Sequence, residues 1–201
     1  GALRTAALVY EPRRVEAELE APIRVENPVF GAVMANWDTA RATAMLAEPL
    51  PERGSVAVEQ LGLSLEGLEN ALRAEHAEAH MRTLGEELDL ALRYRGLAID
   101  PRLVGGRELP VLSGDADLRL DDGVALIQRS DMSLRGTKGE IHRLALLLTP
   151  DRGLLVSGPF QIGADGLIDA RLKLIVVDPS GLAAAMKPVF PEYENEIDMV
   201  A

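Results

Sequence analysis

Cysteine is absent from the chain. That removes disulfides, thiolate metal sites and cysteine nucleophiles, and it suits a reducing or an oxidising compartment equally. Basic residues are in deficit: 21 Lys and Arg stand against 32 Asp and Glu, a formal net charge of -11. They are scattered along polar strand faces (Arg93, Arg95, Arg119, Arg171, Lys173) and form no run that could track a phosphate backbone. Nucleic acid and anionic membrane surfaces are therefore poor partners. Long apolar runs are missing too. Leu144 to Leu148 and Leu174 to Val177 fall far short of a spanning helix, and no signal peptide opens the chain. Aromatic residues are 3 % of the total, so any covered face must be lined by Leu, Val, Ile and Ala. With 201 residues, no linker and no fixed repeat, a single β-rich domain over 1–201 is expected. A start at Gly1-Ala-Leu-Arg, without Met, reads as that of a fragment lacking an N-terminal anchor.

What the chain does have is alternation. Leu88, Leu90, Leu92 and Tyr94 alternate with Asp89, Ala91, Arg93 and Arg95, giving a strand with one apolar and one wet face. Val15 to Leu19, Ala116 to Leu120 and Ile168 to Val176 repeat the pattern. Turn chemistry at Asp122-Gly123, Pro150 to Gly153 and Ala164 to Gly166 predicts hairpins, with strands near 139–148, 154–162 and 166–177. The segment from Leu65 to Leu84 fits both periods and is read as a strand. Between 55 and 65 the apolar phase slips from Val56 and Val58 to Leu61, Leu63 and Leu65, which predicts a bulge or a bend. Helices are few: Asp178 caps a turn opened by Pro179 and stopped by Pro188, with weaker candidates over 123–132 and 191–199. The expected fold is mainly β with a few short helices, a curled antiparallel sheet of hairpins and meanders. Its apolar face is expected to close into a dry core, because large exposed apolar patches are uncommon; an open groove for acyl chains or a partner is the alternative.

One stretch looks like chemistry. If residues 76 to 80 are a strand, His76, Glu78 and His80 project together as candidate zinc ligands, although the spacing is not the His-Glu-x-x-His signature. Flanking Arg73, Glu75 and Arg82 favour an ordinary solvated face, so no metal or other cofactor and no catalytic residue is expected. Asp115, Asp117, Asp121 and Asp122 depart from calcium-loop spacing, and Glu192, Glu194, Glu196 and Asp198 read as a solvated tail. Trp37 is expected as a core anchor or an interface residue. No Gly-x-Ser-x-Gly elbow or phosphate loop occurs.

The succession Leu88-Asp-Leu-Ala-Leu, Ser113-Gly-Asp-Ala-Asp-Leu, Gly139-Glu-Ile-His-Arg-Leu-Ala-Leu, Val156-Ser-Gly-Pro-Phe-Gln-Ile-Gly-Ala-Asp-Gly-Leu-Ile and Leu172-Lys-Leu-Ile-Val-Val-Asp-Pro-Ser-Gly-Leu resembles the domain of unknown function 2125 family. That resemblance implies an alphaproteobacterial cell-envelope protein, with a mostly β region held outside the inner membrane by an N-terminal anchor and no established catalytic residue. The anchor, and the Gly-aromatic-Pro…Arg stretch expected after it, would precede Gly1. The functional expectation is a non-enzymatic, periplasmic binding or scaffold domain, with a lipid or an envelope protein as partner. A metal-dependent enzyme using His76, Glu78 and His80 is the competing expectation.

Overall fold

A computed structural model of the chain describes residues 3–4, 13–27, 31–48, 50–128, 133–195 and 197, with the side chains of 3, 4 and 25–27 left aside. Among these residues thirteen strands join in one sheet, paired antiparallel throughout and not closed on itself. They are β1 (Leu3–Arg4), β2 (Arg14–Leu19), β3 (Ile23–Asn27), β4 (Gly31–Asn36), β5 (Thr39–Met45), β6 (Arg53–Leu65), β7 (Leu68–Leu84), β8 (Glu87–Ile99), β9 (Leu112–Leu120), β10 (Lys138–Thr149), β11 (Arg152–Ile162), β12 (Ile168–Ala170) and β13 (Lys173–Val177). Two α-helices accompany them, α1 (Gly123–Gln128) and α2 (Pro179–Met186). The mainly β, antiparallel fold expected from alternation is the fold observed, and from β5 to β11 it is a meander.

Several strands are halves of longer ones. β4 and β5 both pair with β6 in one register, Met34 opposite Ser64 and Thr39 opposite Glu59, with Trp37 at the corner between them. The half-buried indole donates its N–H to the Leu19 carbonyl at 2.9 Å. The strand predicted over 166–177 is likewise β12 and β13 on either side of Arg171-Leu172, both in one register against β11. The phase slip in β6 falls at Gln60, whose φ is +53°. Glu59 still pairs with His76 and Leu61 with Ala74, so the left-handed residue turns the apolar set over without shifting the register. β8 turns over likewise at Gly96, φ +68°, keeping its register against β7 and shifting it against β9.

The Asp122-Gly123 pair departs from expectation. It opens α1 instead of a hairpin, and the Leu126 N–H donates to the Asp122 carbonyl at 3.1 Å. Packing decides the matter: Leu126 joins Leu88 and Leu120 in a buried cluster, with Met81, Leu90, Leu118 and Phe160 against it. A side chain at Gly123 would begin 2.2 Å from the Leu88 Cβ, so only glycine lets the helix lie this close. Of the helix predicted over 123–132, residues 129–132 lie outside the described set. α2 is the predicted helix, entered through Asp178, whose carboxylate accepts from the Gly181 N–H, and Pro179.

Burial is confined to the neighbourhood of these devices. Among the described residues nine apolar side chains are buried, and Leu88 is the only large one below 2 % exposure. Leu92, four positions along the same strand face, is 44 % exposed. Leu88→Ala should therefore cost about 2–5 kcal/mol in chemical denaturation, the range for a leucine removed from a packed core, and Leu92→Ala less than about 1 kcal/mol. Equal losses at the two positions would contradict this division of the face.

Candidate functional site

The apolar face can be followed strand by strand from the register. Ala17 on β2 is opposite Ala42 on β5, then come Val56, Ala79, Leu92, Ala116, Leu144, Val156 and finally Leu174 on β13. Directly opposite residues share a face, so these nine form one apolar row across nine strands. At about 4.8 Å between strands the row runs for about 38 Å. A bulge at His142-Arg143 in β10 keeps it intact, because Ile141 pairs with Leu118 and Leu144 with Ala116, which puts both on the apolar side. None of the nine is buried, and Leu92 and Leu174 are exposed. The parallel row through Met81, Leu90 and Leu118 also has no buried member. Coverage lies to either side, from α1 over Leu88 and Leu120, and at the buried Tyr94, whose hydroxyl lies against Gly114 and donates to the Ala145 carbonyl at 3.1 Å. The expectation of a closed dry core is thus corrected. Six residues of α1 cover one margin of a sheet face that is nine strands wide.

The opposite face carries the charges. Arg82, Asp89 and Arg119 stand opposite one another on β7, β8 and β9; Asp89 accepts from Arg82 at 2.6 Å and from Arg119 at 2.8 Å. Arg143 reaches Asp115 at 2.7 Å, so Asp115 belongs to a cross-strand pair and not to a calcium loop. Asp117, Asp121 and Asp122 are exposed. A depression of about 580 Å³ on this face, which the sequence did not signal, is lined in part by Thr43, Ser55, His80 and Ala91. Its three guanidiniums already hold carboxylates, Arg14 with Glu16, Arg53 with Glu52 and Arg82 with Asp89.

His76, Glu78 and His80 lie on β7 and share this charged face, as a strand reading requires. Each is already engaged: Glu78 bonds His80 Nε2 at 2.9 Å, and His76 Nδ1 lies 2.8 Å from Glu59 on β6. At about 3.3 Å per residue the two histidine Cα atoms are about 13 Å apart along the strand, against about 2 Å from each nitrogen to a zinc ion. Among the described residues no group of three or more His, Asp or Glu is arranged to hold a metal. His142 sits on the β10 bulge. In the acidic tail Glu192 bonds Arg107, which also lies 5.1 Å over the Phe190 ring, while Glu196 and Asp198 lie outside the described residues.

The profile of the domain of unknown function 2125 family, described as an uncharacterised protein conserved in bacteria, matches residues 1–201. The chain belongs to that family. No curated protein and no solved structure matches it. In this family member no helix among the described residues is long and apolar enough to cross a membrane, a statement that does not bear on strands.

The charged face makes the domain sensitive to acid. Hydrogen bonds from Arg119, and then from Arg82, hold the Asp89 carboxyl below the usual range, and Arg152 does the same for Asp178. Arg102 brings Asp100 down to about 2. A carboxylate whose pKa is lower folded than unfolded contributes stability above its unfolded value, near about 4, and loses it as pH falls through the folded value. The melting temperature should fall as pH drops below about 4. Asp89→Asn should melt below the parent at neutral pH, and the gap should close toward pH 2. A gap that stays constant with pH would show that Asp89 does not act through its charge.

Proposed function

We propose that the domain is a non-catalytic binding surface of the bacterial cell envelope, whose uncovered apolar face takes the acyl chain of a lipid. The observation that carries this is the unburied row from Ala17 to Leu174. Its length of about 38 Å exceeds the about 30 Å thickness of a bilayer's hydrocarbon core, and so exceeds any single leaflet chain. Each methylene removed from water contributes about 0.8 kcal/mol. A chain lying on an open face is desolvated on one side, so ten methylenes supply on the order of 4 kcal/mol before ordering costs, enough for exchangeable loading. Small residues alternate with large along the row, Val56, Ala79, Leu92, Ala116, Leu144, so the surface is corrugated, with apolar side chains throughout. The charged face points away from it, consistent with a protein that meets lipid on one side and water on the other. Periplasmic placement and an anchor preceding Gly1 follow from the family resemblance and belong to the same proposal.

A metal-dependent enzyme at His76, Glu78 and His80 is the weaker reading, since those side chains bond to one another and to Glu59. Lipid loading is tested with a fluorescent fatty acid and by native mass spectrometry of protein from a bacterial host. The parent should give a saturable probe signal and adducts of phospholipid mass. Leu92→Glu, at an already exposed position, should keep the circular dichroism spectrum and lose the signal at least tenfold. A bare spectrum with no saturable probe binding would contradict the reading.

A further inference from the structure

We propose that the outer edge of β12 and β13 is a self-association surface, on which a second copy of this chain pairs antiparallel about a two-fold axis at Ala170. The inference is independent of the lipid reading. Every residue from 164 to 175 is exposed, including Leu167 (72 %), Ile168 (71 %), Leu172 (49 %) and Leu174 (59 %). Among the described residues these two strands pair only with β11, so their other side is a free edge. The Arg171 N–H donates inward, to the Pro159 carbonyl at 3.1 Å. In a continuous antiparallel ladder alternate residues bond the same neighbour, so Ile168, Ala170 and Leu172 present their N–H and C=O groups outward. No proline or bulge interrupts the edge from Ile168 to Val177; its charged residues, Asp169, Arg171 and Lys173, are what would hold off a strand that does not match them.

The sequence of this edge, Leu167-Ile-Asp-Ala-Arg-Leu-Lys173, is self-complementary. With the two-fold at Ala170, the smallest side chain meets its own copy on the axis. Asp169 then stands opposite the partner's Arg171, and Ile168 opposite the partner's Leu172, each twice. Opposite charges facing one another across an antiparallel pair stabilise it, and like charges do the reverse. The structure leaves these charges available. On the interior strands Arg82, Arg95, Arg119 and Arg143 each reach a carboxylate, whereas Asp169 and Arg171 reach no opposite charge among the described residues. Ala170 and its opposite number Phe160 lie on the apolar face, so pairing would carry that face from one copy into the next. A two-fold, isologous contact of this kind closes as a dimer.

Sedimentation equilibrium from micromolar to near-millimolar protein tests the surface. The parent should rise from monomer to twice the monomer mass. Ala170→Pro removes an N–H that the single chain does not use, and it should stay monomeric with an unchanged circular dichroism spectrum. Asp169→Arg and Arg171→Asp, each of which sets like charges face to face, should each stay monomeric. Mixed in equal amounts they should regain the dimer, because each arginine of one variant then meets an aspartate of the other. A parent that stays monomeric throughout, or a dimer that survives Ala170→Pro and both reversals, would overturn the proposal. Failure of the mixture to reassociate would overturn the register at Ala170.

Discussion

Covering an apolar sheet face takes another layer, and among the described residues the six of α1 supply it over Leu88 and Leu120. Where the helix sits, Leu88 and Leu120 are buried and the contact is close enough to require Gly123. Elsewhere the face depends on devices within the sheet, such as the buried Tyr94 with its hydroxyl against Gly114. These bury a margin and leave the middle rows in contact with solvent. The scarcity of large buried side chains, the exposure of Leu92 and Leu174 and the reading as a lipid-binding surface all descend from that shortage of cover.

The charged face solves the opposite problem. A net charge of -11 disfavours a compact state, yet the strands place arginines opposite carboxylates so that repulsion is relieved locally. Pairs this exposed contribute little individually. Their arrangement matters more as a statement of which surface stays wet, and it sets apart the β12–β13 edge, where Asp169 and Arg171 reach no opposite charge among the described residues and apolar side chains stand on both faces. Leu174 belongs to the apolar row and Ile175 to the other side, and both are exposed.

Strands, hairpins at 150–153 and 164–166, the bend near Gln60 and the Asp178 cap were legible because each is written locally, in a period of two, a turn residue or a phase slip. The common face of His76, Glu78 and His80 was legible for the same reason. Their partners were not: Glu59 comes from β6, seventeen residues away, and the register that delivers it is a property of the whole hairpin. Leu92 shows the same limit. It alternates as faithfully as Leu88, but burial depends on what lies above a residue, and α1 reaches only one of the two. Asp122-Gly123 has the composition of a tight turn and serves as a helix start, because the glycine is needed for its missing Cβ.

The central claim is that the middle of the apolar face is open in the folded protein. Because the chain has no cysteine, single cysteines can be placed on that face without interference. In lipid-stripped, folded protein, Leu92→Cys and Val156→Cys should react with a water-soluble maleimide at rates within about tenfold of the unfolded chain, while Leu88→Cys should be protected roughly in proportion to global stability. Equal protection at all three positions would mean that the face is covered, and would contradict an open apolar surface.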